Sequence, residues 1–274
     1  MLKYAKTDPA ALEEIEYAAS IDLYRAAPDD VRAAHGVNVH ALAGTTCLTS
    51  RGLEPAAIFR RAVGLGLRHA ATEIELEDVL ACMKARTTSY VVPVAPHSQP
   101  TALPAWLEKR GFKRGYAWMK FCRSCDGAPR PRSGLDIRVV GRELGGEFGR
   151  VVAEGFGLPR SIVPWIAALT GRMNWVCLMA FSQATPVAAG ATYLSGEHAW
   201  LGLATTVATH RNHGAQTALL AQRLSEAAAR GAKVAVTETG ERLPDKPSHS
   251  YRNILRAGFD EMYLRQNYIS STKQ

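Results

Sequence analysis

The 274-residue sequence predicts an α/β (α+β) protein made of two tandem copies of one domain, each a mixed, mostly antiparallel sheet flanked by helices. Three observations carry this expectation. The chain is long for a single core and matches about two domains of ordinary size. A stretch rich in Pro, Gly, Ser and charge, CRSCDGAPRPRSG from Cys122 to Gly134, interrupts it near residue 130, as a linker does. And one order of elements occurs twice, on either side of that interruption.

The second half reads as follows. LDIRVV starts a strand after the linker, and helices cover GRELGGEFGRVVAEGF and SIVPWIAALTG. Strands NWVCLMAF, TPVAAGATYL and HAWLGLATTV follow, joined by SQA and SGE, short polar turns of antiparallel neighbours. A helix runs from Ala215 to about Arg230, with Gly231 as its C-terminal cap. KVAVTET must then lie parallel to the strand before that helix, because a helical crossover separates the two. A helix in SHSYRNILRAGF and a strand in EMYLRQNYI close the half.

The first half repeats the end of this pattern. LPAWLEKRGFKRGYAWMKF and YRNILRAGFDEMYLRQNYI both run helix, Gly-Phe, then a tyrosine four residues on (Tyr116 after Phe112, Tyr263 after Phe259), then an aromatic strand. Upstream stand ELEDVLACMKAR with SYVVPV, and QTALLAQRLSEAAAR with KVAVT. The expected division is a first domain over residues 1–125, a linker over 126–134 and a second domain over 135–274.

Composition bounds the function. Hydrophobic residues make up 47% and charged residues 21%, an ordinary soluble balance, and no apolar run approaches the about 18 residues of a spanning helix. Acidic residues stand where a signal peptide would carry its apolar core, so a cytoplasmic protein is expected, without a membrane partner. The formal charge of +8 is spread over both halves and forms no concentrated basic block, so it does not single out nucleic acid. Five cysteines have no framework spacing, as reduced thiols do. Cys122 and Cys125 have the gap of a zinc half-site, but no second pair completes four ligands, and no metal is expected. An exposed last strand would offer a surface for oligomerisation, while the aromatic enrichment in RQNYI is equally consistent with core packing.

The turn ATHRNHGAQTALL is the most informative stretch. A helix N-terminus presents unpaired N–H groups and a partial positive charge, a natural anion site. Gly214 frees the backbone for close approach, and Arg211, with His213 when protonated, adds donors for phosphate oxygens. The competing reading is a plain turn in which Asn212 or Thr217 caps the helix. The stretch lacks the Gly-Lys-Ser/Thr ending of a Walker motif and the three glycines of a dinucleotide fingerprint. His210 and His213 resemble a ligand pair by type, yet a phosphate-facing or surface role fits them better than metal.

These residues, followed by a helix, a parallel strand and SYRNILRAGF, resemble the GNAT superfamily of acyl-CoA-dependent N-acyltransferases. In that family a Gln/Arg-x-x-Gly-x-Gly/Ala turn binds the CoA pyrophosphate. Arg211 and Gly214 match it, while Gln216 stands where Gly or Ala is usual. The resemblance covers residues 135–270 closely and the first half only through the repeat, which makes that half a degenerate copy. It implies acetyl-CoA as co-substrate, with Thr206 and Val207 pairing the pantetheine arm. Arg211, Asn212, His213, Gly214, Ala215, Gln216 and Thr217 would wrap the pyrophosphate, with Ser250 close by. It also implies a splay beside VAVTET that holds the thioester, and a backbone N–H near Val207 that polarises the thioester carbonyl.

For the acid, many family members place a tyrosine where this chain has Ile254; Tyr251, one helical turn earlier beside His249 and Ser250, is the substitute expected here, its competing reading being a packed aromatic. For the base, Glu238 ends VAVTET, where strand ends line the cleft of α/β sheets, and Glu241 follows one turn on. The first copy has no Arg-x-x-Gly turn between VNVHALAG and ELEDVL, and Glu73, Glu75, Glu77 and Asp78 at its helix start would repel phosphate. One cofactor site per chain is expected. The expected activity is transfer of an acetyl group from acetyl-CoA to a primary amine of a small molecule or a peptide terminus, by direct attack in a ternary complex. The alternatives are an aminoacyl-tRNA-dependent transferase and a non-catalytic acyl-CoA-binding protein.

Overall fold

The computed structural model describes residues 7–53, 59–129, 133–244 and 248–270. Residues 130–132 of the expected linker lie outside that set, as do the first six and last four residues.

The chain opens on α1 (Pro9–Arg25), capped by the Asp8 carboxylate, which accepts the Ala10 N–H at 3.0 Å, with Pro9 in its first turn. Its apolar stripe of Leu12, Ile15, Ala19 and Leu23 is buried, and Glu13 and Glu16 are buried with it. α2 (Asp29–His35) ends at Gly36 in the left-handed conformation. Strands β1 (Asn38–Leu42) and β2 (Thr45–Thr49) then form a hairpin around Ala43 and Gly44, and β3 (Arg61–Val63) leads to α3 (Glu73–Lys84). VNVHALAG is therefore a hairpin arm and not the strand before the helix, because the tight two-residue turn sends the chain back before it can cross. After β4 (Val91–Val94) and α4 (Leu103–Lys109) come β5 (Lys113–Arg114) and β6 (Trp118–Ser124).

The second copy follows its expected order: β7 (Asp136–Val140), α5 (Gly145–Gly155), α6 (Val163–Ala167), β8 (Trp175–Ser182), β9 (Thr185–Ser195), β10 (His198–Thr206), α7 (Ala215–Ala229), β11 (Val234–Gly240), α8 (His249–Arg256) and β12 (Asp260–Ile269). One element is shorter than expected. SIVPWIAALTG holds only the five α-helical residues of α6 after a 3-10 turn at Arg160–Ile162, since Pro164 fits a first helical turn but not a helix interior. As expected, β10 and β11 are parallel.

Among the described residues, twelve strands join one sheet, in the order β1-β2-β3-β4-β12-β6-β11-β10-β9-β8-β7, with β5 beside β12. The two copies exchange their last strands. β6, from the first copy, runs antiparallel between β11 and β12, pairing Lys120 with Glu238 and Trp118 with Gly240. The end of β12, from the second copy, pairs with β4 and β5. Each half thus supplies a strand to the other's sheet, and ladder hydrogen bonds of both last strands cross the boundary.

Helix α1 reinforces this join on one face of the sheet. Trp165 of α6 donates its indole N–H to the Leu23 carbonyl at 2.7 Å, and Asp22 accepts from Arg172 (2.6 and 3.0 Å) and Trp175 (2.7 Å). Helices α7 and α8 cover the opposite face, where Leu220, Leu224, Tyr251 and Ile254 pack against Leu201, Ala235 and Phe121. Among the described residues, no helix is long and apolar enough to cross a membrane.

Candidate active site

The parallel pair β10 and β11 is in register only from His198 with Val234 to Trp200 with Val236. At the fork Thr237 Oγ1 donates to the Leu201 carbonyl at 2.8 Å. Beyond it the strands diverge, and a cleft of about 520 Å³ opens between them, lined by Leu201 to Ala204 on one side and Thr237 to Gly240 on the other. The expected splay is present.

A bulge shapes the β10 side. Register with β9 shifts between Gly202 and Thr205, and Leu203 takes a positive φ of 50°. Gly202 is required by close approach, since a Cβ there would lie 1.9 Å from the Trp200 ring. Arg223, on α7 and 2% exposed, donates to the carbonyls of Gly202 (3.1 Å) and Ala191 (3.3 Å) beside this bulge. Burial lowers its pKa to about 10, and among the described residues no carboxylate pairs with it. The bulge also corrects one expectation. The Val207 N–H donates to the Val187 carbonyl at 3.0 Å, so it belongs to the sheet and is not free to polarise a thioester; the residues out of register that line the cleft are Leu203 and Ala204.

The first turn of α7 reaches this cleft through Gln216. Gly214, at φ 79°, is the N-cap, and no side chain caps the helix, so neither Asn212 nor Thr217 fills the capping role. Asn212 also has a positive φ, of 66°. Arg211 Nε donates to the Thr206 carbonyl at 3.4 Å, and Gln216 Nε2 donates to Thr206 Oγ1 at 3.2 Å. Arg211, Asn212, His213, Gly214 and Thr217 are exposed, while Ala215 is buried and Gln216 lines the cleft. His210 and His213 have ring centroids 6.5 Å apart. Among the described residues, no three His, Cys, Asp or Glu side chains gather in a metal-holding group. Burial pushes the thiols of Cys122 and Cys125 up to about 12 and about 11.

Glu238 sits at the floor of the cleft. Its carboxylate accepts the Trp200 indole N–H at 3.0 and 3.1 Å and lies 3.5 Å from Lys120 Nζ. Burial raises its pKa above the usual carboxylate value, the nearby charge of Glu16 adds to the rise, and Lys120, Arg265 and the Trp200 hydrogen bond offset it only in part. A buried carboxylate that binds a proton more readily than usual is suited to general-base work. Glu241 lines a smaller adjoining cavity instead and accepts the Ala117 N–H at 2.7 Å.

Tyr251 does not take the expected acid position. It is 4% exposed, packs edge-on against Phe121 at 4.9 Å and donates its hydroxyl to Glu261 at 2.5 Å. Burial, the Glu261 hydrogen bond and the Glu261 charge all push its pKa well up. It borders only the smaller cavity, whereas Ile254, Asn253 and Ser250 line the main cleft. This is the packing that the packed-aromatic reading expects: on α8 residue 251 lies one turn from residue 254 but is drawn toward β12 by Glu261.

The residues that sequence reasoning missed lie beneath Glu238. Glu16 pairs with Arg61 (2.6 Å), Arg265 (2.5 Å) and Lys120, and Glu13 pairs with Arg265 (2.5 Å) and stands 3.6 Å from Lys120. Glu13, Glu16, Lys120 and Arg265 have side chains 0% exposed. Burial alone would raise Glu16, but Arg265, Lys120 and Arg61 outweigh it and hold its pKa well below the ordinary range. Three carboxylates and three cations from α1, β3, β6, β11 and β12 thus balance at the join of the two copies. The available signal was two glutamates on the apolar stripe of α1 and a lysine in the apolar strand β6; their partners are remote in sequence.

The architecture is that of GCN5-related N-acetyltransferases in tandem. No protein-family model matches the sequence, and a search of the curated proteins found no match. Among solved structures, the chain is similar to a GCN5-related N-acetyltransferase from Kribbella flavida, with TM-score 0.66 and 14% identity over 98% of both chains. It is also similar to a GCN5-related N-acetyltransferase from Sphaerobacter thermophilus, with TM-score 0.61 and 13% identity over 84% of this chain and 81% of that one. A tandem GNAT protein from the clavulanic acid biosynthesis pathway aligns at TM-score 0.56 and 17% identity, over 84% and 79%. At these identities the likeness is one of fold.

Proposed function

We propose that this chain is an acyl-CoA N-acyltransferase that moves an acetyl group from acetyl-CoA to a primary amine, with one donor site, in the second copy, and Glu238 as general base. The observation that carries the reading is one continuous cleft that joins an uncapped helix N-terminus, on α7, to a buried carboxylate of raised pKa. The expected division at 126–134 is kept, with the first copy as a support and acceptor wall that binds no donor.

The fit of the donor rests on three features of the chain. The α7 N-terminus leaves its N–H groups uncapped beside Arg211, which suits a pyrophosphate. The splay offers strand-edge polar groups to an amide-bearing arm. The bulge at Leu203 and Ala204 turns the backbone toward the cleft and makes their N–H groups the candidate donors to an acyl oxygen. When bound, acetyl-CoA supplies an activated acyl thioester. The side chains do the rest. Glu238 accepts a proton from the incoming ammonium, directly or through one water, and leaves an amine nitrogen with a free lone pair. As that nitrogen bonds to the acyl carbon, the carbon–sulfur bond breaks, and the second proton still on the nitrogen passes through water to the departing thiolate, leaving an amide and the CoA thiol. Tyr251 does not supply that proton, since its hydroxyl is held by Glu261; the guanidinium of Arg223, on α7, favours the departing thiolate by charge.

Ile254 in place of a tyrosine, together with Tyr251 bound to Glu261, favours one second reading, a non-catalytic acyl-CoA-binding protein. Calorimetric titration with acetyl-CoA followed by turnover on amines separates the two. The enzyme reading expects saturable binding near one site per chain and release of CoA thiol when an amine is added. Binding without turnover on any amine selects the non-catalytic reading, and absence of binding overturns both.

A further inference from the structure

The acceptor face of the cleft is lined in a way that narrows the amine. We infer that the acceptor is a small aromatic monoamine, an arylalkylamine, and not a polyamine, an aminoglycoside-like polycation or a peptide terminus. The chemistry of this inference rests on the acyl-transfer reading; the binding pocket does not.

Charge is the first argument. Of the described residues that line the cleft, only Glu238 and Arg223 are charged. Arg223 belongs to α7 on the donor face, so among the described residues the acceptor face presents one carboxylate. The groups behind that wall are cationic: the guanidinium groups of Arg61 and Arg265 lie 5.6 and 5.2 Å from the Trp118 ring centre, and Lys120 Nζ is 3.5 Å from Glu238. Glu13 and Glu16 are fully buried and paired, out of reach of a ligand. Glu241, in the adjoining cavity, already accepts the Ala117 N–H. Among the described residues one ammonium therefore finds a partner, and a second would lie beside the Trp118 ring that two cations already share.

The walls are the second argument. The first copy contributes Leu53, Phe59, Tyr116 and Trp118, and the loop after α5 contributes Phe156 and Leu158. Phe156 and Tyr116 are each 49% exposed at the mouth, large rings left in water where a flat apolar body would cover them. A peptide terminus would bring amide groups that need partners, and the six side chains of these two walls offer only the Tyr116 hydroxyl and the Trp118 indole N–H. A volume of about 520 Å³, shared with the donor arm, suits a one- or two-ring amine.

The test uses the full chain and two readouts. Tryptophan fluorescence, reporting Trp118 and Trp200, is titrated with 2-phenylethylamine, ethylamine, spermidine and kanamycin, and initial rates with the same amines are measured at saturating acetyl-CoA. The inference expects saturable binding of 2-phenylethylamine and a kcat/KM about ten-fold or more above the other three. Phe156→Ser and Tyr116→Ser, at exposed positions, should raise KM for 2-phenylethylamine and leave that for ethylamine nearly unchanged. A preference for spermidine or kanamycin, parity with ethylamine, or failure of 2-phenylethylamine to bind would overturn it. Binding that is weakened by Phe156→Ser, without turnover of any amine, would remove the acyl-transfer reading and sustain the pocket assignment.

Discussion

Two helices at equivalent places in the two copies start in opposite ways. α3 carries a complete capping box: Thr72 Oγ1 accepts the Glu75 N–H at 3.2 Å, and the Glu75 carboxylate accepts the Thr72 N–H at 2.7 Å. Its first turn is acidic, with Glu73 and Glu75. α7 begins at Gly214 with no side-chain cap and no acid in its first turn. The first helix has satisfied its own end and repels anions; the second has left its donors open, at some cost in helix stability. The repeat thus preserved a scaffold twice, while the open helix end that a phosphate-bearing donor needs exists in one copy.

The comparison can be broken most forcefully at the join that lets one copy serve the other. Glu16→Ala leaves Arg61, Arg265 and Lys120 without their shared carboxylate, and thermal unfolding should show a loss of about 3–5 kcal/mol. The sign with pH follows from the depressed Glu16 pKa. Its stabilisation is present above the unfolded carboxylate value and is lost as pH falls through the lower folded value. The wild-type chain should therefore resist acid to below the ordinary carboxylate range, and the variant should not.

Glu238→Gln keeps the shape of the cleft and removes the base. We expect kcat/KM to fall by about 10² to 10⁴ with acetyl-CoA affinity nearly unchanged by calorimetry. In the wild-type chain the rate should rise with pH through a value above the ordinary carboxylate one, because Glu238 acts when deprotonated and its pKa is raised; the variant should lack that limb.

Thr217→Glu sharpens the contrast by giving α7 the acidic third position that α3 has in Glu75. Acetyl-CoA should bind roughly ten-fold more weakly, with the difference shrinking at high salt. Smallest is the effect of Thr72→Ala, which removes the box from α3. It should cost about 1 kcal/mol of stability and leave acetyl-CoA binding untouched; a change in donor affinity there would show that the first copy takes part in binding.

Much of this was legible in the sequence, for a local reason. The β10-turn-α7-β11 unit is contiguous, so an apolar, β-branched strand, a glycine after a polar turn and a helical alanine run announce it without reference to the rest of the chain. Glu238 was legible as a strand-end carboxylate. Tyr251 was misassigned because helical spacing places it near Ile254 but does not reveal Glu261 on β12, which takes its hydroxyl. The N–H expected near Val207 is not that of Val207 itself, because a strand's end in sequence is not where its pairing ends: its N–H still bonds to Val187.

The sequence by itself determined most elements of the second copy, the repeat of its closing pattern in the first and the difference between the two helix starts, since each depends on residues within a few positions of one another. Only the tertiary structure decided that β6 and β12 cross between the copies, that Glu13, Glu16, Arg61, Lys120 and Arg265 meet under Glu238, and that Phe59 and Trp118 of one copy wall the cleft of the other. Those meetings join residues as far apart as Glu13 and Arg265. Which distant strand completes a sheet, and which buried charges balance, is fixed by hydrogen-bond satisfaction and desolvation across the whole assembled core, and no local pattern encodes it.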